Sequence, residues 1–341
     1  MLGKQIPVTE RALRLHEQSL VLDCHSHFLI NASLFNRPFD RDGKGPLFFN
    51  PLRNAISLPT LKRGGVNALA FTTYVPGRPF LGRDTDRRTD RIIDRFEAIV
   101  AASGGQIAAC RTGAQIHQAY AAGKLAAFLT IEGGHVLESK LENIEHFYRR
   151  GVLMLTLTHF ISNGIADGNW SPYRPLKGLS GFGREVIREM ERVGMFVDVA
   201  HCTDKAFAQV LETSTRPVLC SHGALRRNKN LQRNLSDDQV KALAAQKGLF
   251  GLIFFPKYLG ASGWDIRSVA RQAADVASMV GAEHLCLGSD MDGYTYTPLG
   301  FRDASDWPQV TQALIDAGFD DLEVRGILGE NFVRFLDAEN G

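Results

Sequence analysis

Short apolar runs rich in Val, Ile, Leu and Phe recur along the whole chain, each of strand length and each separated from the next by a segment of helical character. This alternation constrains the fold more than any other feature. The eight runs are residues 20–25, 66–74, 125–132, 152–159, 195–201, 217–222, 249–256 and 284–290. Amphipathic or charged segments at 84–101, 137–150, 183–193, 204–212, 236–246 and 265–280 lie between them. Buried strands alternating with helices build parallel α/β sheets. Ser236 before Asp237 and Asp238, and Thr203 before Asp204, make good helix starts: the hydroxyl caps orphan amides and the carboxylates suit the dipole.

Two architectures satisfy that alternation, a closed (β/α)8 TIM-type barrel and a doubly wound open sheet. They differ in where polar residues should fall. A barrel collects the C-terminal ends of its strands at one mouth, whereas an open sheet has no reason to end most of its strands in reactive side chains. Here the run ends bring His25 and His27, Tyr74, Glu132, His159, His201, His222, Phe255 with Pro256, and Asp290. Six of the eight ends can bind metal or move a proton. The pattern selects the barrel. No internal repeat, low-complexity tract or Pro/Gly linker divides the 341 residues, so one domain over 1–341 is expected. The longest irregular segment, 28–51, carries Phe28, Phe35, Phe39, Phe48 and Phe49. It leaves the run bearing His25 and His27, and reads either as a lid over the mouth or as aromatic packing on the barrel's outside.

The polar ends deserve separate weighing before they are combined. In an extended strand Asp23, His25 and His27 share one face, and burying them costs free energy unless they pair or bind something. By itself a His-x-His pair is more often a hydrogen-bonded core pair than a metal site, and His16, His117 and His146 in helical segments are expected to be satisfied core residues. Four strand-end histidines converging with Glu132 point instead to a metal centre. His25, His27, His201, His222 and Glu132 are five ligands, and if Glu132 bridges, each of two metals obtains three. Such a pair lowers the pKa of a bridging water toward ~7 and clamps both the attacking and the carbonyl oxygen. Nitrogen and carboxylate ligands without thiolate suit two divalent ions, Zn2+ first, with manganese, cobalt or iron as alternatives. Asp290 is the natural acceptor of the water's proton, ahead of Asp292. His159 is left to polarise a carbonyl or steady an oxyanion, or else serves as a further metal ligand or loop anchor.

Composition narrows the partners. Lys plus Arg exceed Asp plus Glu by only 39 − 37 = 2, so no basic surplus marks a nucleic-acid binder. Five cysteines without Cys-x-x-Cys spacing read as free thiols in a reducing compartment. No apolar run approaches the ~18 residues of a membrane span. The chain as it stands therefore reads as cytoplasmic, with no membrane partner and a small substrate; a leader removed beforehand would not be visible in it.

Together these segments resemble the renal or membrane dipeptidase family of zinc metallopeptidases, within the amidohydrolase superfamily. The stretches that carry the resemblance are Asp23-Cys24-His25-Ser26-His27, Ile131-Glu132-Gly133-Gly134-His135, Leu155-Thr156-Leu157-Thr158-His159, Gly181-Phe182-Gly183-Arg184-Glu185, Val197-Asp198-Val199-Ala200-His201, Pro217-Val218-Leu219-Cys220-Ser221-His222, Arg233-Asn234-Leu235, Gly288-Ser289-Asp290-Met291-Asp292-Gly293 and Gly329-Glu330-Asn331-Phe332. Their order and spacing are specific only in combination. The resemblance implies a binuclear zinc site with Glu132 bridging and His201 and His222 on the second metal. It also implies His159 against the substrate carbonyl, Arg233 on the free carboxylate of a dipeptide, and a homodimer by analogy. Arg233 comes from the resemblance alone, since in LRRNKNLQRN it is one basic residue among several. The better-known members have His-x-Asp where this chain has His25-Ser26-His27, which removes one negative charge from the first metal's ligands. A carbamylated lysine has no candidate, because no run ends in Lys. Two further functions compete with a dipeptidase: a binuclear amidohydrolase on another small amide, lactone or N-acyl compound, which would not need Arg233, and a non-catalytic metal or ligand binder.

Overall fold

The computed structural model describes residues 4–42, 55–77, 84–170, 177–260, 264–293 and 295–337. Nine strands are present among them: β1 Leu22–Asp23, β2 Ala68–Tyr74, β3 Ile107–Ala109, β4 Leu125–Glu132, β5 Val152–Thr156, β6 Phe196–Asp198, β7 Leu219–Gly223, β8 Leu249–Leu252 and β9 Leu285–Leu287. All pair in parallel, in the order β1-β2-β4-β5-β6-β7-β8-β9. The two ends of that order meet. Cys24 N donates to Leu287 O at 2.8 Å, Asp290 N to His25 O at 2.9 Å and His27 N to Met291 O at 2.9 Å. The sheet thus closes as a (β/α)8 barrel, and each of the eight apolar runs supplies one barrel strand. The extra strand, β3, pairs with the start of β4, on the side that β5 occupies from Leu129 onward.

The runs overestimate strand length. β5 stops at Thr156, β6 at Asp198 and β8 at Leu252, so His159 and His201 stand in loops just above the ladder. His201 and Asp290 adopt left-handed backbone, with φ of 66° and 58°. A strand cannot continue through that conformation. All six amphipathic segments are helices: Thr85–Ala102, Glu142–Arg149, Gly181–Val193, Asp204–Thr213, Asp237–Ala245 and Arg267–Val280. Ser236 and Thr203 cap as anticipated, their hydroxyls accepting from Gln239 N and Ala206 N.

Two expectations need correction. Residues 28–35 are not irregular but form the helix Phe28–Phe35, which starts at His27. Phe28 packs on Phe39 at 4.6 Å between ring centres, Phe39 on Phe71 of β2 at 5.2 Å, and Phe71 on Phe96 at 5.1 Å. The described part of the segment is therefore aromatic packing against the barrel wall, while residues 43–51 of the expected lid lie outside the described residues. Of the three helical histidines, only His16 is a satisfied core residue, held between Thr311 Oγ1 and Gly64 O at 2.7 Å each. His117 and His146 sit on the surface against Glu330 and Asp90.

β4 shows how the fold carries the site. Its alternate residues Ala126 and Phe128 join a lower apolar layer with Leu22, Ala70, Met154 and Phe196. That layer is closed from below by the helix Asn331–Asp337, whose Phe332 stacks on Phe128 with ring centres 5.5 Å apart. Thr130 comes next, donating to Thr72 Oγ1 at 2.9 Å, and then Glu132 in the mouth. Alternation along one strand thus passes from apolar floor to polar site. On the opposite wall the register of β7 shifts between Cys220 and Gly223. Gly251 and Gly288 make room there: a Cβ at either would lie 1.9 or 2.0 Å from Ser221 O. Gly251→Ala should therefore cost about 3 kcal/mol or more by overpacking, read as a lowered urea midpoint; an unchanged midpoint would show that β7 is free to move aside.

Candidate metal centre

His25, His27, His159, His201 and His222, with Glu132 and Asp290, belong to a single cluster. Glu132 is buried at its centre and its two oxygens face different partners. Oε1 lies 3.0 Å from His201 Nε2 and 3.3 Å from His222 Nε2; Oε2 lies 3.3 Å from His27 Nε2. His25 Nε2 is 3.7 Å from Oε1, and His159 Nε2 is 3.7 Å from Oε2. Asp290 Oδ1 closes the group at 3.3 Å from His27 Nε2 and 4.0 Å from His25 Nε2. Three sets of donor atoms lie within 4.8 Å of one another: His25, His27 and Asp290; His25, Glu132 and His222; Glu132, His159 and His201.

These spacings fit a metal. His25 and His27 bring their Nε2 atoms to 3.0 Å, as do His201 and His222. Two nitrogens each ~2.0–2.1 Å from one tetrahedral ion would stand about 3.4 Å apart. Two imidazole lone pairs aimed at each other without a cation or proton between them would repel. Burial pushes the His25 imidazolium down to about 3 and that of His159 to about 4, and holds His201 and His222 well below the usual histidine range. All four are thus neutral, the form that ligates. Burial would also raise the Glu132 carboxyl, but the imidazoles of His159, His201, His222 and His27 outweigh it and keep Glu132 ionised. His27 differs: burial lowers it, yet hydrogen bonds to Asp290 and Glu132 lift it to about 10. Asp290 itself is raised by burial. Two carboxylates in a buried pocket demand positive charge, which a divalent cation supplies as readily as a proton on His27.

The supporting shell is ordered with the same purpose. Ser221 Oγ donates to Asp198 Oδ2 at 2.6 Å, which leaves it an acceptor for His222 Nδ1–H at 2.8 Å. This chain fixes the His222 tautomer, so that its Nε2 lone pair faces the centre. Asp198 also accepts from Thr156 Oγ1 at 2.5 Å, Ser221 N at 2.9 Å and Ala200 N at 3.0 Å, tying β5, β6 and β7 together below the site. Asp23 does the same between β1 and β9, accepting from Ser289 Oγ at 2.5 Å, Ser289 N at 2.9 Å and His25 N at 3.3 Å. Asp23 therefore does not share the metal face with His25 and His27, because the regular strand ends at Asp23 itself. Asp292 accepts from Ala55 N and Ile56 N, and anchors a loop outside the cluster.

Arg233 is buried, not a surface residue. Its Nη2 donates to His222 O at 2.7 Å and its guanidinium lies 5.7 Å from the centre of the Tyr258 ring. Nε and Nη1 are buried without a hydrogen-bond partner among the described residues. An arginine buried beside a metal cluster with two unused donors has a shape and charge suited to a carboxylate.

Residues 9–340 match the membrane dipeptidase family, peptidase family M19. The chain belongs to this family. A curated member, the dipeptidase VerJ of Clonostachys rogersoniana, is 29% identical over 290 residues, which is 82% of this chain and 75% of that protein. The probable dipeptidase PvdM of Pseudomonas aeruginosa superposes with a TM-score of 0.87 at 20% identity, covering 96% of this chain and 97% of that one. A family M19 metallopeptidase, dipeptidase AC, gives 0.82 at 25% identity, covering 94% and 98%. A metallopeptidase of Rhodobacter sphaeroides, liganded with a phosphinate mimic of the dipeptide L-Ala-D-Ala, gives 0.81 at 23% identity, covering 94% and 99%. As a member of the family, the protein is a metal-dependent hydrolase of the dipeptidase class. No helix among the described residues is long and apolar enough to cross a membrane.

Sequence reasoning had quoted Asp198 and Ser221 inside motifs without giving them a task. Their signal was present: a carboxylate three residues before one run-end histidine, and a hydroxyl next to another. Asp198→Asn keeps the volume but loses acceptor capacity, and should weaken divalent metal binding about 10–100-fold. Calorimetric titration of the metal-stripped protein with zinc measures this; unchanged affinity would reduce Asp198 to a brace of the strands.

Proposed function

We propose that the protein is a binuclear metal-dependent dipeptidase that hydrolyses the amide bond of dipeptides with a free C-terminal carboxylate. The observation that carries this reading is the placement of Arg233, two of whose nitrogens have no partner among the described residues, against His222 of the cluster that surrounds Glu132. His25 and His27 would hold one ion and His201 and His222 the other, with Glu132 shared between them. Zinc is the first choice for such nitrogen and carboxylate ligands. When bound, a pair of divalent ions supplies a water acidic near neutral pH and a Lewis acid for the scissile carbonyl.

The chain's own residues account for the remaining needs of the reaction. Arg233 binds the terminal carboxylate and so sets which amide bond lies over the cluster. His159, neutral and only 21% exposed, offers an N–H to the carbonyl oxygen as negative charge develops there. Water adds to the carbonyl carbon and its proton passes to Asp290. The same proton then goes to the amine as the C–N bond breaks, so that the carboxylate is regenerated. The relative liganded with a mimic of L-Ala-D-Ala supports including substrates with a D-residue at the C-terminus.

Metal analysis should find about two divalent ions per chain, and a chelator should abolish turnover of an L,L- and L,D-dipeptide panel. Fewer than one ion, or no hydrolysis of any peptide, would sink the reading. Arg233→Ala should lower kcat/KM on dipeptides by roughly 100-fold or more, because a buried carboxylate would lose its partner. Equal loss is not expected for a small amide or lactone that lacks the carboxylate; if such a compound is the better substrate and ignores Arg233→Ala, the protein is a binuclear amidohydrolase of another kind.

A further inference from the structure

A cavity of about 500 Å³ opens off the metal centre above β2, β4 and β5. Tyr74 and His159 stand at its inner end with ring centres 4.7 Å apart. Phe160, Ile165, Phe182 and Trp170 contribute apolar wall, Trp170 at the exposed rim. Among the described lining residues, Glu138 alone carries a permanent charge. Its Oε1 accepts from both Thr85 N at 2.9 Å and Thr85 Oγ1 at 2.6 Å, which holds the carboxylate in one orientation. Oε2 makes no hydrogen bond among the described residues. Glu138 and Ser139 take left-handed backbone in succession, with φ of 49° and 60°. Two non-glycine residues adopt that conformation only where the surroundings impose it.

The position of the cavity within the ring gives it a role. In the closed order of eight strands, β4 is third, β7 sixth and β8 seventh. Arg233 follows β7 and rests against Tyr258, which follows β8, so the arginine faces the cavity across the mouth. A dipeptide with its carboxylate on Arg233 and its scissile carbonyl at His159 directs its N-terminal residue to the β4 side. The corridor also carries the neutral polar side chains of Ser139, Ser162 and Asn163, so aromatic and aliphatic wall alternates with polar groups around one oriented carboxylate; this complements a side chain that has an apolar stem and a cationic head. We propose that this cavity receives the side chain of the substrate's N-terminal residue and selects lysine or arginine there, with Glu138 as the counter-charge. This rests on the dipeptidase reading above.

Lysine and norleucine differ in the terminal ammonium, so kcat/KM for Lys-Ala, Arg-Ala, norleucine-Ala and Glu-Ala on the metal-loaded enzyme provides the test. The cationic substrates should exceed norleucine-Ala by about fivefold or more, with Glu-Ala poorest. Glu138→Gln, which retains an acceptor for Thr85, should bring the lysine-to-norleucine ratio to about one through KM. Should that variant fold poorly, raised salt on the unaltered enzyme serves instead: it should shrink the lysine advantage and spare the norleucine rate. Equal rates for Lys-Ala and norleucine-Ala in the unaltered enzyme, or a ratio indifferent to both Glu138→Gln and salt, overturns the inference alone. An enzyme that cleaves no dipeptide overturns the dipeptidase reading and this inference together.

Discussion

The structure depends on one buried carboxylate. Glu132 is at the end of a strand whose lower half is apolar, among imidazoles that follow β1, β6 and β7, and removing its charge from water calls for positive charge among them, a proton on His27 or a cation. Burial opposes protonation of the others and keeps His25, His201 and His222 neutral. The result is a set of lone pairs converging on a negative centre, which is stable when positive charge enters. Structural and catalytic requirements here coincide: the barrel needs a cation in its mouth for the reason that hydrolysis does.

Much of this was legible in the chain because strand periodicity is simple. Eight apolar runs marked eight barrel strands, and the residues at their ends marked Glu132, His159, His201, His222 and Asp290, which the structure brings together. What the periodicity could not show was where each strand releases its chain. His201 and Asp290 reach the centre through left-handed residues above the ladder, a local departure that no apolar pattern encodes. The same limit explains Asp23. Extending the alternation placed it beside His25 and His27, whereas the strand ends at Asp23 and the carboxylate turns to Ser289. β3 escaped notice because three small or modestly apolar residues carry no run. The helix Phe28–Phe35 was hidden because its two polar residues, Asn31 and Ser33, mark out no polar face to give a period.

Arg233 shows a different limit. Its neighbours in sequence are basic and polar, and nothing about its position distinguishes it from Arg226 or Arg227, which pair with Asp204 and Asp237 on the surface. Tertiary placement alone makes it unlike them, by taking its guanidinium under the β7 loop and against Tyr258. Resemblance to the family could name it; the residues around it could not.

The seam between β1 and β9 has a consequence for how such a molecule comes into being. Glu132, His201 and His222 lie on strands that follow closely in order, so their half of the centre can assemble from contiguous chain. The backbones of His25 and His27 are held instead by Asp290 and Met291, more than 250 residues away in sequence. They are synthesised well before the residues that fix them, and their position is set only when those residues arrive. Acquiring the full complement of ligands is therefore a report that the ring has closed, and a cation captured by both halves links its first strand to its last.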